Sequence, residues 1–170
     1  MQIDGRKIDL YVRFLKYILK PTIQKNVVNL ENFQIDSLWK YGISGDNPII
    51  IVKVKNIEDM YVIEDVITAY EYYRAKKIFI DLIILNEEID VYERYVKENI
   101  MQTISNKQLD YLKNIDTGIF VLNKDEILKD DLEVIEFKAR LIIDCSKNDI
   151  ESFIRDFEEE ECEEKLKKEI

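Results

Sequence analysis

The sequence contains no histidine. That absence removes Ser-His-Asp and Cys-His catalysis, His-ligated zinc and any imidazole acid or base. Two cysteines, Cys145 and Cys162, are too few for a disulfide scaffold or an all-cysteine zinc site. Cys162 lies in an acidic run that disfavours its thiolate, and both thiols fit a reducing compartment. Glycine occurs four times and proline twice. So few turn formers argue against an all-β sandwich and for long helices joined by short loops. No apolar run approaches the ~18 residues of a membrane span, and the amino terminus lacks the apolar stretch of a secretion signal. The segment is therefore expected to make no membrane contact and to be cytoplasmic.

What is present suits one folded domain. The chain has 170 residues, 46% hydrophobic and 35% charged, enough to bury about two thirds of its unfolded surface. The net charge of −10 repels phosphate backbones, so nucleic acid is not an expected partner.

Apolar periodicity sets out the elements. Ile8, Tyr11, Leu15 and Ile18 predict a helix over 5–20, with Asp4 as N-cap and Pro21 as terminator. Residues 22–36 read as irregular, with Val27, Val28, Leu30 and Phe33 as anchors to the core. Ile49–Val54 is a β-branched run typical of a buried parallel strand. A helix capped by Asn56 runs to Lys76, with Met60, Ile63, Ile67 and Tyr70 on one stripe. Ile78–Leu85 predicts a second strand, and Asp90 caps a third helix with Tyr92, Val96, Ile100 and Ile104 at helical spacing. Gly118–Leu122 predicts a third strand. Asp130 and Asp131 open a helix containing Leu132, Ile135, Ala139 and Ile142, although Leu141–Ile143 also suits a short strand. Residues 148–170 read as a charged helix whose Glu158–Glu161 run forms a solvated face.

Alternating strands and helices predict an α/β fold: three layers, a doubly wound, mainly parallel sheet, with Ile49–Val54 in the middle. The expected layout is a lead-in over 1–37, an α/β core over 38–147 and an acidic helix over 148–170, within one domain. The topology is Rossmann-like without a nucleotide-binding loop. After the first strand the chain reads Lys55-Asn56-Ile57-Glu58-Asp59, with no glycine to let backbone amides approach a phosphate. Gly42 and Gly45 precede that strand, on the other edge of the sheet. No cofactor is expected.

Ligands of open α/β sheets bind beyond the carboxyl ends of the strands. Asn86, Glu87 and Asn123 fall there and form the candidate sugar-binding set. The same residue types also cap helices and satisfy loop backbone. With 35 acids in the chain, paired carboxylates carry no signal for glycoside hydrolysis, and neither a catalytic nor a metal-binding residue stands out. Tyr70 and Tyr73 share a helix face and are expected to close the core, with Tyr72 directed elsewhere. Trp39 suits a stacking platform, an interface anchor or a plug beside the Gly42–Gly45 turn.

Several segments carry a resemblance. Leu38-Trp39-Lys40-Tyr41-Gly42-Ile43-Ser44-Gly45-Asp46-Asn47-Pro48-Ile49 resembles a stretch of the cyclic β-1,2-glucan synthases and related cellobiose-phosphorylase proteins, glycosyltransferase family 36. Ala69-Tyr70-Glu71-Tyr72-Tyr73-Arg74, Ile80–Glu87 and Thr117–Leu122 match further stretches in order, over roughly residues 10–154. Family members more often have His and Trp where this chain has Tyr70 and Tyr73. The resemblance implies an α/β segment upstream of a catalytic helical barrel that is not in this chain. Such a segment would be a non-catalytic fragment of a carbohydrate-active parent, which other domains could attach to a membrane. Its expected partners are neighbouring domains of the same polypeptide, docked through Trp39, Tyr41, Gly42, Ser44, Gly45 and Asp46. β-Glucan oligosaccharide is the alternative ligand. A stand-alone enzyme built on carboxylates is the weaker alternative.

Overall fold

The computed structural model describes residues 2–20 and 35–170. Of the irregular segment expected over 22–36, residues 22–34 with their four apolar anchors lie outside the described residues, as does Pro21, and Asp36 belongs to a short helix. Helix α1 spans Gly5–Leu19, and the Asp4 side chain accepts the Arg6 N–H at its start. Lys20 is extended (ψ 130°), as the residue before a proline should be. A short α2, Asp36–Trp39, precedes strand β1, Ile49–Val54. Then come α3 (Met60–Ala75), β2 (Asp81–Asn86), α4 (Tyr95–Asn106), β3 (Ile119–Asn123), α5 (Lys129–Lys138), β4 (Leu141–Asp144) and α6 (Ile150–Glu169).

The strands form one all-parallel sheet in the order β3-β2-β1-β4. This is the expected three-layer α/β architecture with β1 inside the sheet. The order also dictates the layers. Crossovers β1→β2 and β2→β3 step the same way, and their helices share a face. The β3→β4 crossover reverses direction, so right-handedness sends α5 to the other face.

Packing follows the two-residue period of the strands. Ile50, Val52, Leu82, Ile84 and Ile143 join Tyr11 and Phe14 of α1, Ile63 and Ile67 of α3, Ile100 of α4 and Ile154 of α6. Ile49, Ile51, Ile83, Leu85 and Phe120 join Leu38 of α2 and Ile135 of α5. Every residue of β1 except Lys53 is buried. At about 1.5–3 kcal/mol per fully buried aliphatic side chain, these two layers supply the main driving force.

Five expectations need correction. The Asn56 side chain caps no helix: a 3-10 turn over Ile57–Asp59 intervenes, and α3 starts only at Met60. Among the described residues there are four strands, not three: α5 ends at Lys138, Ala139 is extended, and the Arg140 N–H bonds to the Ile49 carbonyl, so Ile142 lies in a strand. Strand β2 begins at Asp81, because Ile78–Ile80 leave the end of α3 before pairing starts. Asp90 does not cap α4; its carboxylate accepts the Tyr92 and Glu93 N–H groups in a local turn, and α4 starts only after Arg94. The Glu158–Glu161 run is not wholly solvated. Glu158 pairs with Arg13, and Glu161 with Lys16 and Lys20, fastening α6 to α1.

Gly118 shows how tightly the end of the second crossover, β2→β3, is seated. A Cβ added there would lie 2.1 Å from the Leu112 carbonyl oxygen and 2.7 Å from that of Ile115. Backbone cannot yield that distance cheaply. Gly118→Ala is expected to lower unfolding stability by about 3 kcal/mol in urea titration.

Candidate functional site

The carboxyl edge of the sheet holds the expected sugar-binding set. β2 and β3 end side by side, with Asn86 paired in register to Asn123. Both side chains are buried, at 2% and 4% exposure. The Asn86 amide donates to Asn123 Oδ1 at 3.2 Å and to the Glu88 carboxylate, and Asn86 Oδ1 accepts the Glu88 N–H at 3.1 Å. Asn123 Nδ2 donates to Glu126 Oε2 at 3.0 Å. The two amides thus complete each other and the adjoining loops. Glu87 lies in an ion pair with Lys124 at 2.8 Å, which raises the lysine pKa.

Glu88 has the most telling position. Its carboxylate accepts the Val96 and Lys97 N–H groups at 3.3 and 3.0 Å, in the first turn of α4. A helix amino terminus beyond a parallel strand is where doubly wound proteins commonly receive an anion. Here the chain's own carboxylate fills that place. Arg94 closes the same corner, forking onto Asp125 at 3.1 and 2.7 Å; the Arg94 hydrogen bond holds the Asp125 carboxyl below its ordinary range. Cys145, at the end of β4, is buried, and burial pushes its thiol up to about 12, which removes it as a nucleophile near neutrality.

The docking set divides. Trp39 is 58% exposed, and its indole N–H donates to the Ser44 carbonyl at 3.4 Å, so the ring lies on the surface rather than plugging the turn. Gly42 and Asp46 are exposed, and Gly42 and Gly45 adopt φ of +79° and +83°, the conformation that favours glycine. Tyr41 instead belongs to the α2–α5 joint. Its hydroxyl donates to Asp131 Oδ2 at 2.8 Å, beside Lys40. Burial raises the Asp131 pKa, but hydrogen bonds from Tyr41, Ser37 and Lys40 outweigh it and leave the carboxyl below its usual range. Ser44 donates to Asp116 Oδ1 at 3.0 Å.

Tyr70 and Tyr73 close the core as expected, their hydroxyls donating to the Thr117 and Tyr11 carbonyls. Tyr72 is half-buried beside Tyr11. At the amino edge of the sheet, Tyr70 and Arg74 of α3 and Asp81 of β2 all bond to Thr117. Glu88, Arg94, Asp116 and Thr117 were not among the expected site residues. Asp81 alone gave a signal, as a lone acid inside the apolar run Ile78–Leu85. Among the described residues no group of three carboxylates or cysteines is gathered closely enough to hold a metal ion. Among them, too, no helix is long and apolar enough to cross a membrane.

Fold and site together define a doubly wound α/β module whose ligand edge is closed by its own side chains. No protein-family model matches the chain. Over 73 residues it is 30% identical to the cyclic β-(1,2)-glucan synthase NdvB of Rhizobium meliloti (strain 1021). That stretch covers 43% of this chain and 3% of the synthase. The match supports a distant relationship to that carbohydrate-active protein and spans a small part of it.

The exposure of Trp39 has a direct consequence. Trp39→Ala is expected to change unfolding stability by less than about 1 kcal/mol, as for a surface ring, rather than the 3–5 kcal/mol of a core aromatic. Thermal unfolding of the two chains measures the difference.

Proposed function

We propose that this chain is a non-catalytic α/β module of a large carbohydrate-active protein, and that it spaces and docks neighbouring domains. The observation that carries this reading is the closed carboxyl edge. Asn86, Asn123 and Glu88, the groups best placed to meet a ligand, are bonded to one another and to the first turn of α4. Leaving any of them unpaired would cost about 1–3 kcal/mol, so a sugar would have to replace those bonds before gaining any. The distant relationship to a glucan synthase of far greater length supports the setting. The docking surface is the exposed Trp39 ring with Gly42 and Asp46. Reduced Cys145 and Cys162 are consistent with a cytoplasmic location.

Two assays test the reading. The chain incubated with β-1,2-gluco-oligosaccharides and inorganic phosphate is expected to release no sugar phosphate and to transfer no glucose; turnover above the buffer blank would overturn the non-catalytic assignment. Calorimetric titration with the same oligosaccharides is expected to show no binding at 1 mM, where even a detectable complex represents only about 4 kcal/mol. Saturable binding below that concentration would replace the docking role with glucan binding.

A further inference from the structure

The amino edge of the sheet holds a joint that the docking role does not require. Asp81 opens β2 and is fully buried. Its Oδ1 accepts the Thr117 N–H at 2.8 Å, while its Oδ2, equally buried, has no hydrogen-bond partner of good geometry. Two like charges act on it: Asp116 from the loop before β3 and Asp46 from the turn before β1. The Asn47 amide and the Thr117 N–H oppose them in part. Burial, with the two carboxylates, pushes the Asp81 pKa from 3.8 up to about 6.

Thr117 is held from its other side by α3. The Tyr70 hydroxyl donates to the Thr117 carbonyl at 2.6 Å, and Arg74 Nη1 donates to both the carbonyl and Oγ1 at 3.1 Å. The Arg74 cation is directed at Thr117, and among the described residues Asp81 forms no ion pair. Burial pushes the Tyr70 phenol up to about 12, so it stays protonated wherever Asp81 titrates. Thr117 itself has φ +60°, and Asn114 has φ +57°. The left-handed region is unfavourable for a β-branched residue, so the loop keeps this shape only while its attachments hold.

The same loop holds the turn before β1. Asp116 Oδ1 accepts both Ser44 Oγ at 3.0 Å and Asn47 Nδ2 at 2.8 Å. Trp39 in turn donates its indole N–H to the Ser44 carbonyl. Direct contacts therefore run from Asp81 through Thr117 and Asp116 to the 44–47 turn and the only tryptophan.

We propose that Asp81 is a proton-controlled latch: while protonated it keeps the 113–118 loop and the 44–47 turn closed, and its ionisation releases both. An ionised Asp81 is a buried charge with one hydrogen bond, facing two others of its own sign. Outward movement of the segments bearing Asp116 and Asp46 relieves it, by separating the charges and admitting water. In the closed arrangement Asp81 keeps its proton up to about pH 6, whereas in a solvated one it loses it near its ordinary value of 3.8. Between those values the closed state binds more protons, so raising the pH favours the open state. From pH 4 to pH 7 the open-to-closed ratio rises by up to about a hundredfold.

The test is amide hydrogen exchange at Thr117 by NMR between pH 4.5 and 7.5, expressed as protection relative to the unfolded-chain rate at each pH. In the native chain protection is expected to fall by about 25-fold, with a midpoint on a logarithmic scale between about pH 5 and 5.5 and a plateau above about pH 6, and Trp39 emission to shift over the same range. Asp81→Asn should hold its protection constant across the range. Asp116→Asn, which removes one of the two repelling charges, should move the midpoint to lower pH. Constant protection in the native chain, or an equal fall in Asp81→Asn, would overturn the latch. Should Asp81→Asn fail to fold, the native chain and Asp116→Asn decide the matter, because an unmoved midpoint would also overturn it.

Discussion

Burying both faces of a four-stranded parallel sheet leaves its strands with no wet side. β1 lies between two aliphatic layers, one against α1, α3, α4 and α6 and the other against α2 and α5. Polar side chains buried at the two ends of the sheet must each find a partner or bear the loss of hydration. The whole pattern of named polar contacts follows from that constraint. At the carboxyl end Asn86, Asn123, Glu88 and Glu126 satisfy one another and the loops that leave β2 and β3. At the amino end Asp81 and Thr117 anchor the loop that enters β3, and Asp81 is left with one unsatisfied oxygen.

This division of labour bears on function. The edge at which doubly wound proteins usually take ligands is filled from within, down to the amino terminus of α4, where Glu88 stands in place of an outside anion. At the opposite edge the polar residues tie separate loops together. Ser44 and Asn47 bond to Asp116, Tyr70 and Arg74 bond to Thr117, and Thr117 bonds to Asp81. These contacts therefore form an architectural joint, with Trp39 and Asp46 on its outer surface.

Much of this was legible in the sequence because burial on both faces writes itself as unbroken β-branched runs. Ile49–Val54 reads as a strand on that ground alone, and the helix spacing of Tyr70 and Tyr73 reads as core. Leu141–Ile143 was ambiguous, since three apolar residues satisfy either period; pairing with β1 settled it, a long-range effect that local pattern does not encode. By residue type Asp90 is the favoured N-cap and Glu88 is not. Which one reaches α4 depends on the left-handed turn at Arg94. For Asn86 and Asn123 the residue types suited a sugar or a cap equally well. Only their register across β2 and β3 shows that each completes the other.

The central claim is that the polar residues at the carboxyl edge maintain the fold. A double-mutant cycle on Asn86 and Asn123, each replaced by alanine and followed by urea unfolding, tests it most directly. Each single variant is predicted to lose about 1–3 kcal/mol, and the double variant to lose less than their sum by about 1 kcal/mol, as for two groups that satisfy each other. Single variants with native stability, or losses that simply add, would contradict the claim and return these amides to the pool of groups free to meet a ligand.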